Sequence, residues 1–365
     1  MQKIVHGTQF LNEYLSDCKK ILLVCGSSFD QLPIKDDITG IDRPYVVFDQ
    51  FTSNPLYEDV SKGVRRFREE RCDAILAVGG GSAIDVAKCI KLFSGMTDDK
   101  LYLEQEYRHN NVKLIAIPTT AGTGSESTRY AVIYYEGKKQ SVTHDSIVPD
   151  IAILEPSVLK SLPAYQKKCT MLDALCQGIE SWWSVNSTAE SQALSRNAIE
   201  TIVRHWKRYI IDGDEESAEA VMNAANIAGQ AICITQTTAA HAFSYKITSL
   251  YGLPHGHAVA VCLPEIWEYM LGHIDDCIDT RGHVYLRDIF AQIAMAMGCH
   301  SAEAAIGSFR DMLSVLGTLN PVSTDKAHDL EILSKTVNPI RLRNNPVSLD
   351  EKSIRALYDQ IVHTK

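Results

Sequence analysis

No apolar run in the 365-residue chain approaches the ~18–20 residues that a membrane span requires, so the sequence holds no candidate spanning helix. The opening, MQKIVHGTQF, lacks the basic-then-apolar profile of a signal peptide, and a cytoplasmic location is expected. Blocks of Lys or Arg are missing as well. The 36 basic residues stand against 45 acidic ones, a formal net charge of −9, which argues against a nucleic-acid partner or a membrane-surface arm. There is no CxxC pair: the ten cysteines are scattered through apolar stretches, which reads as buried thiols in a reducing compartment and disfavours a disulfide framework or a Cys-only zinc site. Internal repeats and low-complexity tracts are absent, and with 45% hydrophobic and 22% charged residues the chain is neither fibrous nor disordered.

What is present favours two domains, since the length exceeds the ~100–200 residues of a typical one. The first half alternates strand-like runs with helical spacing: KKILLVC, PYVVF, a helix over LYEDVSKGVRRFREE, DAILAV, a helix from Ser82, and VKLIAIP. That rhythm predicts parallel strands with crossover helices. RYAVIYYE and KQSVTH flank Gly137 and Lys138 as a hairpin, and DIAILEP closes the strand-rich part. From Pro163 onward the spacing is helical almost throughout, as in AESQALSRNAIETIVRHWKRYI. The reading is an α/β dinucleotide-binding domain over residues 1–158 and an all-helical domain over 159–365.

Three stretches carry chemistry. In AILAVGGGSAIDVAK a buried strand runs into Gly79, Gly80 and Gly81, then Ser82 as a helix N-cap with Asp85 three residues on. Glycine lets a backbone approach an anion closely, and the free N–H groups of a helix start favour a diphosphate. The pattern is neither GxGxxG nor a Walker A loop, and a tight, well-capped turn would look the same. The second stretch, IPTTAGTGSEST, is crowded with hydroxyls. Thr119, Thr120 and Thr128 are its candidate donors to a ribose or nicotinamide, against the plainer reading of a polar turn. In the helical half, MLDALCQGIESWW places Asp173, Cys176 and Gln177 on one helix face, and AAHAFSYKITSLYGLPHGHA supplies His241, Tyr245, His255 and His257. An Asp and two or three His from separate helices suit a divalent transition metal.

Taken in order, GGGSAIDVAK, PTTAGTGSE, VPDIAILEP, the DAL helix and HAFSY…GLPHGHA resemble the iron-containing (group III metal-dependent) alcohol dehydrogenase family, whose fold is shared with dehydroquinate synthase. The resemblance implies an NAD(P)H-dependent enzyme that interconverts an aldehyde and a primary alcohol, with one divalent metal, Fe(II) or Zn(II). It implies metal ligands at Asp173, His241 and His255, with Gln177 at the position of a fourth ligand that is His in the family. A Gln carbonyl is a weaker donor than imidazole, and Cys176 is the alternative. Tyr245 stands where many members have a further His, so Tyr245 or His257 inherits the proton relay. Gly26, Ser27, Asn54 and Lys139 complete the cofactor set. No carboxylate follows the ILLVCGSS strand, which leans the choice to NADPH.

Within the family the two metal-bearing segments are most similar to the phosphonoacetaldehyde reductase branch. A phosphonate needs cations, and Lys246, Arg129, Arg341 and Arg343 are candidates. The expected substrate is then phosphonoacetaldehyde, reduced to 2-hydroxyethylphosphonate; a general short-chain aldehyde reductase, a metal-dependent lyase and a non-catalytic binding protein are the rivals. A homodimer is the default assembly.

Overall fold

The computed structural model describes residues 2–365, which divide into two compact units, the first ending at Pro163 and the second running from Ala164. The first unit thus extends past residue 158 and takes in the two-turn 3-10 segment Pro156–Ser161, which Glu155 caps by accepting from the Ser157 amide at 3.0 Å.

In chain order the first unit holds β1 (Lys3–His6), α1 (Leu11–Tyr14), β2 (Ile21–Cys25), α2 (Lys35–Thr39), β3 (Tyr45–Phe48), α3 (Tyr57–Glu69), β4 (Ala74–Gly79), α4 (Gly81–Phe93), β5 (Lys113–Pro118), β6 (Tyr130–Tyr135), β7 (Lys138–Thr143) and β8 (Ile151–Leu154). Six strands form one parallel sheet in the order β1-β8-β5-β4-β2-β3. β2, β4 and β8 are buried along their whole length, as expected of strands covered on both faces. From β2 the chain steps outward to β3 and then returns as β4 on the other side of β2. That reversal makes the carboxyl ends of β2 and β4 a topological switch point, where open α/β sheets bind ligands.

Three local features differ from the sequence reading. β1 is an added edge strand, paired with β8. Helix α4 begins before Ser82: Gly80 is its N-cap, and the Ser82 hydroxyl instead donates to the Ser53 carbonyl. The hairpin forms as a separate two-stranded sheet, but Lys138 is already in β7. Its turn residues are Glu136 (φ 49°) and Gly137 (φ 70°), the left-handed pair of a tight two-residue turn.

The second unit comprises α5 (Ala164–Trp183), α6 (Ala189–Lys207), α7 (Glu215–Thr235), α8 (Ala239–Tyr251), α9 (His255–Gly272), α10 (His283–Ala296), α11 (Ala302–Leu316), α12 (Lys326–Lys335), α13 (Pro339–Leu342) and α14 (Glu351–Ile361). It also contains one two-residue parallel ladder, β9 (Val322–Ser323) with β10 (His363–Thr364), too short to register against the helical spacing. Hydroxyl and carboxylate caps start several of these helices, among them a Thr188/Ser191 capping box for α6, Asp214 for α7 and Ser301 for α11. α5 is the central rod, packed against α6, α7 and α9 and buried without interruption from Cys169 to Trp183. Its C-terminal end is locked by Trp183, whose ring lies 5.5 Å from Trp267 and 6.0 Å from Phe290. A helix buried on every side should be apolar on every side. Asp173, Gln177 and Glu180 break that rule.

Candidate metal and cofactor sites

The three polar residues of α5 lie on one face, at intervals of four and three residues. Asp173 is 3% exposed and Glu180 fully buried, and burying a carboxylate is costly unless it is paired. The partners come from α8 and α9. Donor atoms of Asp173, His241 and His255 all lie within 4.8 Å of one another, with His241 Nε2 3.3 Å and His255 Nε2 4.0 Å from Asp173 Oδ1. The His241 imidazole, whose ring centroid is 5.3 Å from that of His255, is pushed up to about 10: burial disfavours its charged form, and the Glu180 and Asp173 carboxylates outweigh burial.

Local sequence explains how two helices deliver these rings. Gly252 ends α8 at φ 68°, a left-handed position that suits glycine, and Pro254 caps α9 so that His255 opens it. Gly256 then permits close contact with α5. A Cβ there would sit 2.0 Å from the Cys169 carbonyl oxygen and 2.8 Å from Asp173 Cβ. Ser244 bridges the two helices, donating to the His241 carbonyl at 2.9 Å while its hydroxyl lies 3.4 Å from His255 Nδ1.

Glu180, absent from the sequence reading, completes the arrangement. Its Oε2 meets His241 Nδ1, and its Oε1 accepts from the backbone N–H groups of Thr238 (3.1 Å), Ala240 (3.0 Å) and His241 (3.3 Å) and from the Thr238 hydroxyl (2.8 Å). Burial alone would raise its carboxyl; His241 and these donors outweigh burial and hold it below the ordinary value. A signal was available: an acidic residue inside the apolar run GIESWW, two turns after Asp173.

Of the other candidates in this unit, Cys176 is fully buried in α5 but is not part of the converging donor group among the described residues. Tyr245 stacks on His255, ring centroids 5.8 Å apart and planes 13° off parallel. His257 is turned elsewhere. Its Nδ1 pairs with the Tyr165 hydroxyl at 2.7 Å and its Nε2 with the Leu319 carbonyl at 2.8 Å, which occupies both ring nitrogens, and burial lowers its affinity for a further proton. Arg341 donates to Gln236 Oε1 at 2.9 Å, whereas Arg343 is exposed and Lys246 partly so. Gln236 itself has φ 60° and ψ 175°, a conformation essentially confined to glycine that costs about 1–3 kcal/mol. Arg341 and Asn344, both bonded to its Oε1, hold it there just ahead of α8.

In the first unit, sheet register brings Gly26, Gly79 to Gly81 and Thr119 together. Cys25 pairs with Val78 and Gly79 with Pro118, and the Thr119 amide donates to the Gly79 carbonyl at 3.0 Å. A Cβ on Gly79 would strike Ala83 at 2.7 Å, and one on Gly81 would press Thr123 at 3.0 Å, so bare backbone at the start of α4 is a steric requirement. Above Gly26 a Cβ meets nothing. This open, glycine-lined end of a 13-residue helix fits a diphosphate. Thr120 is half-buried and Asn54 exposed. Asp85 and Thr128 point inward: Asp85 accepts from Ser125 Oγ (2.6 Å) and the Val132 amide (2.9 Å), and Thr128 Oγ1 takes a bond from the buried Lys88 amine at 3.1 Å. Both tie the hydroxyl-rich loop and the hairpin to α4. Lys139 is half-buried on β7 and close enough to favour the ionised form of Asp85, although burial, the larger effect, raises that carboxyl. Arg129, also in this unit, is paired with Asp145 at 3.1 Å. Of the four candidate cations, Arg129 belongs to the first unit and Lys246, Arg341 and Arg343 to the second.

Residues 2–156 match the iron-containing alcohol dehydrogenase family, and residues 168–362 match that family's C-terminal domain. The chain belongs to the iron-containing alcohol dehydrogenase family. It is 30% identical to phosphonoacetaldehyde reductase of Streptomyces viridochromogenes, over 98% of this chain and 93% of that protein. Among solved structures, this alcohol dehydrogenase homologue resembles the iron-containing alcohol dehydrogenase of Thermococcus thioreducens (25% identity, TM-score 0.88, 99% of this chain and 98% of that one). It is equally similar in sequence to sulfoacetaldehyde reductase of Bifidobacterium kashiwanohense, solved with NAD+ (25% identity, TM-score 0.87, 99% and 96%). The protein is an oxidoreductase of this family, and no helix among the described residues is long and apolar enough to cross a membrane.

Proposed function

We propose that this oxidoreductase reduces a two-carbon aldehyde bearing an anionic group, phosphonoacetaldehyde in the first instance, to the primary alcohol at the expense of NAD(P)H. The observation that supports this most is the convergence of buried Asp173 and His241 with the partly exposed His255. One carboxylate oxygen and two imidazole nitrogens suit Fe(II) or Zn(II), and Gln177, one turn from Asp173, offers a neutral oxygen as fourth ligand. When bound, the ion supplies Lewis acidity toward a carbonyl oxygen and the nicotinamide supplies the hydride.

The chain's own residues do the rest. Gly79 to Ser82 bind the cofactor diphosphate, Gly26, Ser27 and Thr119 line its approach, and Thr120, Asn54 and Lys139 border it. Tyr245, held against the His255 ring, delivers a proton from its phenol to the product oxygen. His257 is not assigned this role, because both its nitrogens are engaged. Two relatives are named for acetaldehydes carrying a phosphonate or a sulfonate, which supports an anionic substrate. Arg341, fixed by Gln236 beside the start of α8, is the cation best placed to meet it.

The cofactor has two readings. No carboxylate follows β2 directly, which favours NADPH. Burial chiefly raises the Cys25 thiol at the end of β2, and Asp49, just past β3, is close enough to add to that; an acid there favours NADH by meeting the ribose and repelling a 2′-phosphate. The test is oxidation of each cofactor by protein loaded with Fe(II) or Zn(II), comparing phosphonoacetaldehyde with an uncharged aldehyde of similar size. A preference for the phosphonate of ~10²-fold in kcat/KM, or ~2.7 kcal/mol, is expected, and Arg341→Ala should erase most of it. Equal turnover would leave a general aldehyde reductase; a turnover without net oxidation of the cofactor would point to a lyase.

A further inference from the structure

We propose that Glu180 is the positioning residue of the metal site: it dictates which nitrogen of His241 faces Asp173 and His255, and the same carboxylate anchors the first turn of the helix that carries His241. The proposal rests on the reading of Asp173, His241 and His255 as ligands.

An ionised carboxylate has no hydrogen to give. Because Glu180 Oε2 contacts His241 Nδ1, that nitrogen must carry the hydrogen, and Nε2 is the nitrogen left toward Asp173 Oδ1, 3.3 Å away. The second oxygen works on the backbone. The first amides of a helix lack intrahelical partners, and the Thr238 side chain at the N-cap of α8 makes no cap bond to them. Glu180 Oε1 takes the Thr238, Ala240 and His241 amides instead, and its negative charge suits the positive end of α8. Asp173 and Glu180 belong to the same buried helix. One rod therefore holds a ligand and also the group that orients a ligand on another helix, so the spacing of the donors does not depend on α8 alone.

Glu180→Gln separates the two roles. Its amide oxygen can still accept the α8 donors, but its NH₂ faces Nδ1 and forces the neutral ring into the tautomer with hydrogen on Nε2, the ligand position. Thr238→Ala does the opposite, removing the hydroxyl that donates to Glu180 Oε1 and leaving the ring contact. In the full-length protein, Zn(II) affinity by chelator competition, the Co(II) visible spectrum and the melting temperature of metal-free protein are measured for both. Glu180→Gln should weaken Zn(II) binding 10–100-fold and alter the Co(II) spectrum, in addition to the fall in metal-free melting temperature that loss of the buried charge beside His241 causes. Thr238→Ala should lower that temperature and keep Zn(II) affinity within about twofold, far less than the loss expected for Glu180→Gln. Should Glu180→Gln fail to fold, nitrogen-15 NMR of the histidines in Zn(II)-loaded wild type decides: a hydrogen on Nδ1 of His241 supports the proposal, and metal on Nδ1 overturns it. Glu180→Gln that folds and binds Zn(II) as wild type also overturns it. Wild type that binds neither Zn(II) nor Co(II) would refute the ligand assignment itself.

Discussion

Gly256 leaves no room for a methyl group between α9 and α5, because the obstructing atom is the Cys169 backbone carbonyl and not a movable side chain. Gly256→Ala must therefore push the start of α9 away from Asp173. We expect a loss of about 1–3 kcal/mol in stability, as for other overpacked cores, together with weaker Zn(II) binding. Thermal unfolding with and without the ion checks both, and a variant that matches wild type in each would show that α9 has slack. Gln177→His tests the unusual ligand directly. An imidazole in place of a carbonyl should tighten Zn(II) binding at least tenfold (on the order of 1.4 kcal/mol), read by the same chelator competition. The three donors that the structure brings together were legible because their motif order is specific. Glu180 left only a partial signal, an acid inside an apolar run, because a linear sequence does not show which ring from another helix an acid seven residues past Asp173 will meet. Asp85 and Thr128 carry a different lesson: residues of the right type beside a glycine loop serve to brace it.

Among the elements, the caps give a pH dependence with a definite sign. The Asp214 side chain, N-cap of α7, is held below its ordinary value of 3.8 chiefly by its hydrogen bonds with Ser217, with Arg208 adding to the effect. A carboxyl depressed in the folded state contributes stability above 3.8, and that stability disappears as the pH falls through the lower folded value. Asp214→Asn keeps an acceptor for the Ser217 amide but loses the charge, so its melting temperature should fall less steeply than wild type on acidification below pH 4 or so. Parallel slopes would show that the cap contributes through hydrogen bonding alone. The buried strands and long helices follow from periodicity. β1 does not, because KIVH is short, only half covered, and finds its partner β8 more than a hundred residues later. The start of α4 was misplaced for a related reason: serine is the commoner cap, but the diglycine geometry lets the helix begin before it.

For the whole molecule, the two units have separate architectures, and the candidate ligands all belong to the helical one. Calorimetry should resolve a transition that Zn(II) raises, by about 2.7 kcal/mol of stabilisation at a hundred times Kd, and another that it leaves alone. Asp173→Ala should abolish the rise. A single transition, raised as a whole by Zn(II), would mean that the units unfold as one. The α/β-then-helical plan was readable because strand-like runs alternate with helical spacing as far as β8, after which the spacing is helical almost throughout. The small β9–β10 ladder escaped because two residues have no period.

The scattered cysteines turn this partition into a clock. None of the ten forms a disulfide; seven are buried, and the three that are partly accessible, Cys233, Cys277 and Cys299, lie in the helical unit. A thiol reagent added to the native protein will mark those three first. Every later mark then dates the opening of the segment around it, and because Cys18, Cys25, Cys72 and Cys89 report on the sheet while Cys169, Cys176 and Cys262 report on the helices, mass spectrometry of the labelled peptides can tell which half of the enzyme breathes first.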